Sequence, residues 1–487
     1  MKKTRFLSWL LVLSMFFTLA ATSVYATETS APEDAVSDSA GAEDSSADPD
    51  DADSDEADPE DAEPTAEESG EFSVNAGAAM LIELNSDTIV YALNPDQKVY
   101  PASLTKIMTV MLALELCPDL STQVTVTETA LEGIDPDGVT ASLVPGEVIP
   151  MEELLYCMML PSANDACNVV AEYLCGDIDT FVAKMNEKAA QLGCTGTHFA
   201  NPDGLHDDNH YTTVRDLSLI TRAALENEMF CTMMSTSVHT VPATNMTGER
   251  VIHTTNYLMS TAINPDYYYE KASGVKTGYT SKAGRCLIST AKQGDFYYLS
   301  IVTGCQTIQT ESGAVVYDSF VQTKKLLEHG LNDFRFATVI SQLVPVAQVP
   351  VTEAAVSSVV VAPASDVTAL LPADYDESKL TTTYTLDSGE SLQAPLTTDQ
   401  DVGTITVYYD GAAIASTTVR PITAVEQHII QYAARNVGHN LRKYIGLVIL
   451  LVCVLLILLI VIRNNRIRRR KAAARRKKAE ARRERKD

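Results

Sequence analysis

The chain has 487 residues, a formal net charge of −27 and a 46% hydrophobic composition. That length holds more than one folded domain. An acidic balance of this size argues against nucleic acid as a partner.

The first predicted element is an export signal. Met1 to Arg5 carry positive charge, residues 6–21 are apolar, and Val24-Tyr-Ala26 puts small residues where a signal peptidase cuts. Residues 1–26 therefore read as a secretory signal peptide, since the apolar core is short for a membrane anchor. Residues 27–71 contain no Lys or Arg, and Val36 is their sole large apolar residue. Such a segment buries too little to offset its ordering entropy, so it reads as an acidic disordered linker.

Residues 72–336 mix helical and strand patterns and form the first folded domain. After Pro101, apolar residues recur at Leu104, Ile107, Met108, Met111 and Leu112, the period of a helix with one buried face. Ser103 opens that helix, with Lys106 one turn on and on the same side. By itself this pair has an ordinary explanation, a capping serine and a solvated lysine. Two other Ser-x-x-Lys matches occur, at Ser273/Lys276 and Ser289/Lys292, without that helical context. Next comes Ser162-Ala-Asn164, between two helical patterns, where both polar residues are also good caps. Thr213-Val-Arg-Asp216 before Leu217 fits a capping box. Lys276-Thr277-Gly278 occurs once, just before residues 284–302, which read as a strand, a turn at Gly294 and a second strand. A strand edge can pair with an extended peptide, and Gly278 permits close approach.

Residues 337–423 are rich in Thr, Val and Ser and read as all-β, with a hairpin turning at Asp410-Gly411. A helical stalk is expected over 424–443. Residues 444–462 are uncharged and almost wholly apolar; at about 1.5 Å per residue they span roughly 28 Å, a bilayer core. The basic run over 463–487 places that end in the cytoplasm by the positive-inside rule. There it serves topology and anionic headgroups rather than nucleic acid. Eight of nine cysteines fall within 72–336 and Cys453 lies in the membrane segment. Cys157, Cys167 and Cys286 sit in apolar runs, which favours buried free thiols.

The motifs matter as an ordered set. They supply a hydroxyl nucleophile with a lysine in reach, a second hydroxyl with an amide, and a strand carrying a cation and a hydroxyl. That is the equipment of a serine acyl-enzyme. Here the chain resembles the D-alanyl-D-alanine carboxypeptidases among the low-molecular-mass penicillin-binding proteins. The resemblance runs through Ala79-Met-Leu-Ile-Glu, Pro101-Ala-Ser-Leu-Thr-Lys, Leu160-Pro-Ser-Ala-Asn, Met185-Asn-Glu-Lys, Phe199-Ala-Asn-Pro-Asp-Gly, Thr255-Asn-Tyr-Leu and Lys276-Thr-Gly-Tyr. It extends to Leu392-Gln-Ala-Pro-Leu in the β segment.

The resemblance implies an α/β (α+β) fold of the penicillin-recognising serine transferase and β-lactamase-like type. That fold has an antiparallel sheet, a helical subdomain and, here, a small C-terminal all-β domain followed by one transmembrane helix. The implied substrates are peptidoglycan stem peptides ending in D-Ala-D-Ala, with β-lactam antibiotics as covalent inhibitors. No cofactor or metal is needed. Ser103 is the expected nucleophile and Lys106 its general base. Ser162 relays the proton and Asn164 orients Lys106 and substrate. Lys276 and Thr277 hold the terminal carboxylate, beside Gly278. Backbone N–H groups of Ser103 and Tyr279 form the oxyanion hole. Two ammonium groups sharing one site repel, and Lys106 is the one expected to titrate low. The catalytic domain would lie outside the cell membrane.

Two features depart from the family pattern. Some members carry a carboxylate-binding arginine in a stretch that here, over 306–320, has none. Members also often end in a surface-lying amphipathic helix instead of a spanning one. Three rival readings compete. A class A-like β-lactamase would carry Ser-Asp-Asn, where this chain has Ser162-Ala-Asn164, and a Glu-x-x-Leu-Asn between that motif and Lys-Thr-Gly; the one match here, Glu328 to Asn332, lies after Lys276 instead. A non-catalytic penicillin or wall sensor would not need an intact nucleophile and base. A zinc peptidase would use His206 and His210, but these lie in a loop with no general-base Glu between them.

Overall fold

The computed structural model describes residues 72–483, apart from 136, 137, 263 and 311. The expected signal peptide (1–26) and acidic linker (27–71) lie outside the described residues, as do 484–487 at the end of the basic tail.

Two strands open the fold, β1 (Ala78–Glu83) and β2 (Thr88–Leu93). Helix α1 (Lys106–Leu116) follows a single 3-10 turn, Ala102–Thr105. Then come α2 (Met151–Met159), α3 (Asn164–Cys175), α4 (Ile178–Gln191), α5 (Val214–Leu225) and α6 (Glu228–Ser235). Three long strands return to the sheet, β3 (Ala272–Thr280), β4 (Gly284–Gln293) and β5 (Phe296–Cys305). Helix α7 (Asp318–Asp333) covers them. The sheet order is β2-β1-β5-β4-β3, antiparallel throughout. This leaves β3, with Lys276, Thr277 and Gly278, at an edge.

Every residue of β1 is buried, because both sheet faces are covered. Its alternate residues feed two cores. Ala78, Met80 and Ile82 face the large helical core, while Ala79 and Leu81 face α7. Local signals end the elements where the sequence places them. Asp177 caps α4 by accepting from the Thr180 N–H, and Thr213 caps α5 by accepting from the Asp216 N–H. Asp216 turns its own carboxylate to the Gly196 N–H and the Thr197 hydroxyl, so the capping box is half formed. The β4–β5 hairpin turns at Gly294 with a φ of +59°.

One expectation needs correcting. The α1 pattern predicts one buried face, yet Lys106 through Leu114 are all buried. Helix α1 is the axle of the subdomain and touches all five helices α2–α6. A helix apolar on most sides is a core helix.

The β domain begins with strand Phe334–Ile340, which pairs with Val367–Pro372. A six-stranded sheet encloses a core that includes Val349, Val361, Val407 and Val419. Its hairpin Gly403–Tyr409/Ala412–Pro421 turns at Asp410 (φ +49°) and Gly411 (φ +83°), as the Asp-Gly pair predicts. The stalk differs from expectation over its first residues. Val425 is bridged to Leu396 and Gln427 to Ala354, so 424–428 belong to the β domain. Helix α8 runs from Ile429 to Arg483. Within it Lys443–Ala479 is long and apolar enough to cross a membrane, and its apolar part is not buried within the protein.

Candidate active site

Ser103 lies in the 3-10 turn, one step before α1, rather than at the helix start. Ala102 beside it is buried with a φ of +48°, a conformation that costs energy in a non-glycine residue. The turn is wedged against β3. A Cβ built on Gly278 would stand 3.1 Å from the Pro101 carbonyl oxygen and 3.2 Å from the Ser103 nitrogen. Glycine at 278 is thus what lets the strand lie against the nucleophile's own backbone.

Lys106 is fully buried. Its Nζ donates to Ser103 Oγ at 3.1 Å, to Asn164 Oδ1 at 2.8 Å and to the Asp203 carbonyl oxygen at 2.6 Å. Asn164 is the first residue of α3, and its side chain is spent on Lys106 instead of on capping. Ser162 holds a φ of +74° just before it, and its buried hydroxyl has no partner among the described residues. An unsatisfied buried hydroxyl costs energy and marks a place where substrate or water completes the bonding.

Lys276 is also buried; its ammonium donates to the Thr277 carbonyl oxygen at 3.2 Å. Burial first, and the Lys106 ammonium second, push Lys276 well below the ordinary lysine range. The sequence points to Lys106 for a lowered value and does not anticipate this push on Lys276. Lys106 has three acceptors converging on its Nζ, whereas Lys276 has one backbone carbonyl. Thr277 is hydroxyl-bonded to Thr255.

Two cavities meet at Ser103 and Ser162. One, of about 260 Å³, runs along Thr277, Tyr279, Arg285 and Tyr317. The other, of about 550 Å³, runs along Asn164, Asp203 and His206. The fold thus brings all eight predicted residues, Ser103, Lys106, Ser162, Asn164, Lys276, Thr277, Gly278 and Tyr279, to one cleft or directly beneath it. Sequence reasoning missed three contributors. The Asp203 contact is a backbone carbonyl, which no side-chain pattern reveals. Thr255 lies in a run quoted for its resemblance but was given no role. Arg285 is the direct cross-strand partner of Tyr279, a register that the hairpin reading contained.

His210 holds its loop and nothing else. Its Nδ1 accepts from the Ala200 N–H at 3.1 Å and its Nε2 meets Thr105 Oγ1 at 2.8 Å. Burial pushes it down to about 4, so it is neutral. With both nitrogens engaged, it has none left for a metal, which removes the zinc reading. All nine cysteines are free. Burial pushes Cys157 and Cys167 up to about 12 and Cys286 up to about 11, which makes them packing groups and not nucleophiles.

A family model described as D-alanyl-D-alanine carboxypeptidase matches residues 63–307. A second, described as the C-terminal domain of penicillin-binding protein 5, matches 334–427. The chain is 30% identical over 364 residues to the D-alanyl-D-alanine carboxypeptidase DacA of Escherichia coli, covering 73% of this chain and 84% of that one. It is 27% identical over 364 residues to DacF of Bacillus subtilis, covering 74% and 87%. Penicillin-binding protein 5 of Haemophilus influenzae has a similar crystal structure, with a TM-score of 0.57, 28% identity, and coverage of 73% of this chain and 99% of that one. The matched segments contain the Ser103–Lys106 turn, the Ser162 loop and the β3 edge. The chain therefore belongs to the D-alanyl-D-alanine carboxypeptidase family, serine peptidases of the penicillin-binding-protein fold.

Proposed function

We propose that Ser103 and Lys106 carry the family's reaction here, the removal of the terminal D-alanine from stem peptides ending in D-Ala-D-Ala. Ser103 Oγ attacks the carbonyl between the two D-alanines while its proton passes to Lys106 Nζ. The tetrahedral oxyanion is held by the N–H groups of Ser103 and Tyr279. The C–N bond then breaks, and Ser162 passes a proton to the departing amine. Asn164 keeps Lys106 aligned. Water hydrolyses the ester and frees Ser103. A β-lactam enters the same first step and stays as the acyl-enzyme.

The observation that carries this reading is the 3.1 Å contact of the buried Lys106 Nζ with Ser103 Oγ at the junction of two cavities. For proton transfer Lys106 must be the neutral member of the lysine pair. The two ammonium groups repel, so the pair gives up one proton more easily than an isolated lysine, and that event belongs to the pair. Only Lys106 has a described hydrogen bond to Ser103.

The β domain raises the cleft above the membrane. Residues 444–462 span it, with the basic 463–487 in the cytoplasm and the catalytic domain outside. Protease added to intact cells should digest the ectodomain and spare the tail; a digested tail in sealed cells would reverse this topology. Activity is tested with a D-Ala-D-Ala pentapeptide. The wild-type chain releases free D-alanine and Ser103→Ala does not. Release by the Ser103→Ala chain would end the assignment.

A further inference from the structure

The stretch 306–320 contains no arginine, so the substrate's terminal carboxylate lacks the cation that some relatives place there. Lys276 is a poor substitute. It is buried beneath the cleft, does not line the smaller cavity, and is discouraged from holding its proton.

We propose that Arg285, projecting from β4, binds the terminal carboxylate of the substrate; this rests on the carboxypeptidase reading above. Among the described residues lining the 260 Å³ cavity that reaches Ser103, Arg285 is the one charged side chain. Its position follows from the sheet. Residue 285 pairs with Tyr279 across the β3–β4 ladder, and Thr277 lies two residues back on the same strand face. Arg285 and the Thr277 hydroxyl therefore share one side of the cleft.

The guanidinium is already aimed. Its Nε donates to Thr307 Oγ1 at 2.9 Å. Its Cζ sits 3.9 Å from the centre of the Tyr317 ring and 4.4 Å from that of Tyr279. Two aromatic contacts and one hydrogen bond hold the fork in place at little further entropy cost. Arg285 makes no ion pair with any described carboxylate, so its charge is unspent. A guanidinium does not lose its proton near neutral pH, and its paired donors fit a carboxylate. The anchor thus arrives from β4, and the aromatic ring of Tyr317 backs it.

The test separates the carboxylate from the rest of the substrate. Full-length chain in detergent is given two peptides, one ending in D-Ala-D-Ala with a free carboxylate and one with that terminus as the amide. For Arg285→Gln, kcat/KM on the acid should fall about 10- to 100-fold, the scale of one lost charged hydrogen-bond pair, while the amide changes little. The loss should sit in KM more than in kcat. Arg285→Lys should recover part of it. A parallel arm measures equilibrium binding of both peptides to Ser103→Ala, with and without Arg285→Gln. If the wild-type chain releases no D-alanine, the carboxypeptidase reading fails, yet the binding arm still reads the anchor. An acid preference unchanged by Arg285→Gln would overturn the proposal. Equal losses on acid and amide would overturn it too, because they would assign Arg285 a merely structural role.

Discussion

Gly278→Ala tests how closely β3 must lie against the nucleophile. The new methyl would meet the Pro101 carbonyl oxygen at 3.1 Å, Ala102 Cβ at 3.2 Å and the Ser103 nitrogen at 3.2 Å. Each is a few tenths of an ångström inside ordinary contact. All three atoms belong to the backbone or Cβ of one buried turn, so no flexible side chain can swing away. The strand must retreat from the turn. Overpacking of this kind costs about 1–3 kcal/mol, which for a domain of this size lowers the melting midpoint by several degrees without unfolding it. The larger effect should be on chemistry. The retreat separates the Tyr279 N–H from the Ser103 N–H, and sub-ångström misplacement of reacting groups costs about tenfold or more. Penicillin acylation, followed by stopped-flow fluorescence, should slow at least about tenfold while the far-UV spectrum stays native. Acylation at the wild-type rate would show that the spacing of strand and turn does not set the oxyanion geometry.

Three further outcomes follow from the same geometry. His210 is neutral when folded, with its value lowered to about 4 from an unfolded 6.5. Its contribution is complete above that unfolded value and is lost as pH falls toward 4, because the unfolded chain takes the proton first. Wild-type stability should drop about 2 kcal/mol more than that of His210→Gln between pH 7 and pH 5, by urea unfolding; equal slopes would refute a buried neutral imidazole. Lys276→Gln leaves one amine where two share the buried site, so the ascending limb of the acylation pH profile, which belongs to the pair, should move to higher pH. An unmoved limb would show that the two lysines are not coupled. Gly204→Ala places a methyl 2.0 Å from the Ala102 carbonyl oxygen at a φ of +87°, so it should unfold the Asp203 loop and cost stability as well as activity. A normal melting midpoint would contradict the packing described.

Much of this site is legible in the residues because its parts are side chains at helix and strand spacings. Ser103, Lys106 and Lys276 follow from period and turn signals. What joins them is not local. The Asp203 carbonyl reaches Lys106 from ninety-seven positions away, and its role depends on backbone direction. The three acceptors that converge on Lys106 Nζ have the same origin, since they come from residues 103, 164 and 203. The one-faced reading of α1 failed because Thr105, Thr109 and Lys106 look like a polar side. In the fold Thr109 bonds the Pro202 carbonyl and Thr105 bonds the Ala102 carbonyl, so polar groups enter the core with their partners. The later end of the β domain is similar. Residues 424–428 read as helix by composition, but pairing with Leu396 and Ala354 holds 425–427 extended.

The most direct test of the account is where an acyl group lands. The full-length chain is treated with benzylpenicillin, digested, and mapped by mass spectrometry, beside Ser103→Ala and Lys106→Arg. The account predicts one adduct with the mass of intact penicillin, on the peptide containing Ser103. Ser103→Ala should carry none, and Lys106→Arg should acylate about a hundred- to ten-thousand-fold more slowly because a guanidinium cannot take the proton. An adduct on any other residue, or a Lys106→Arg chain that acylates at the wild-type rate, would contradict it.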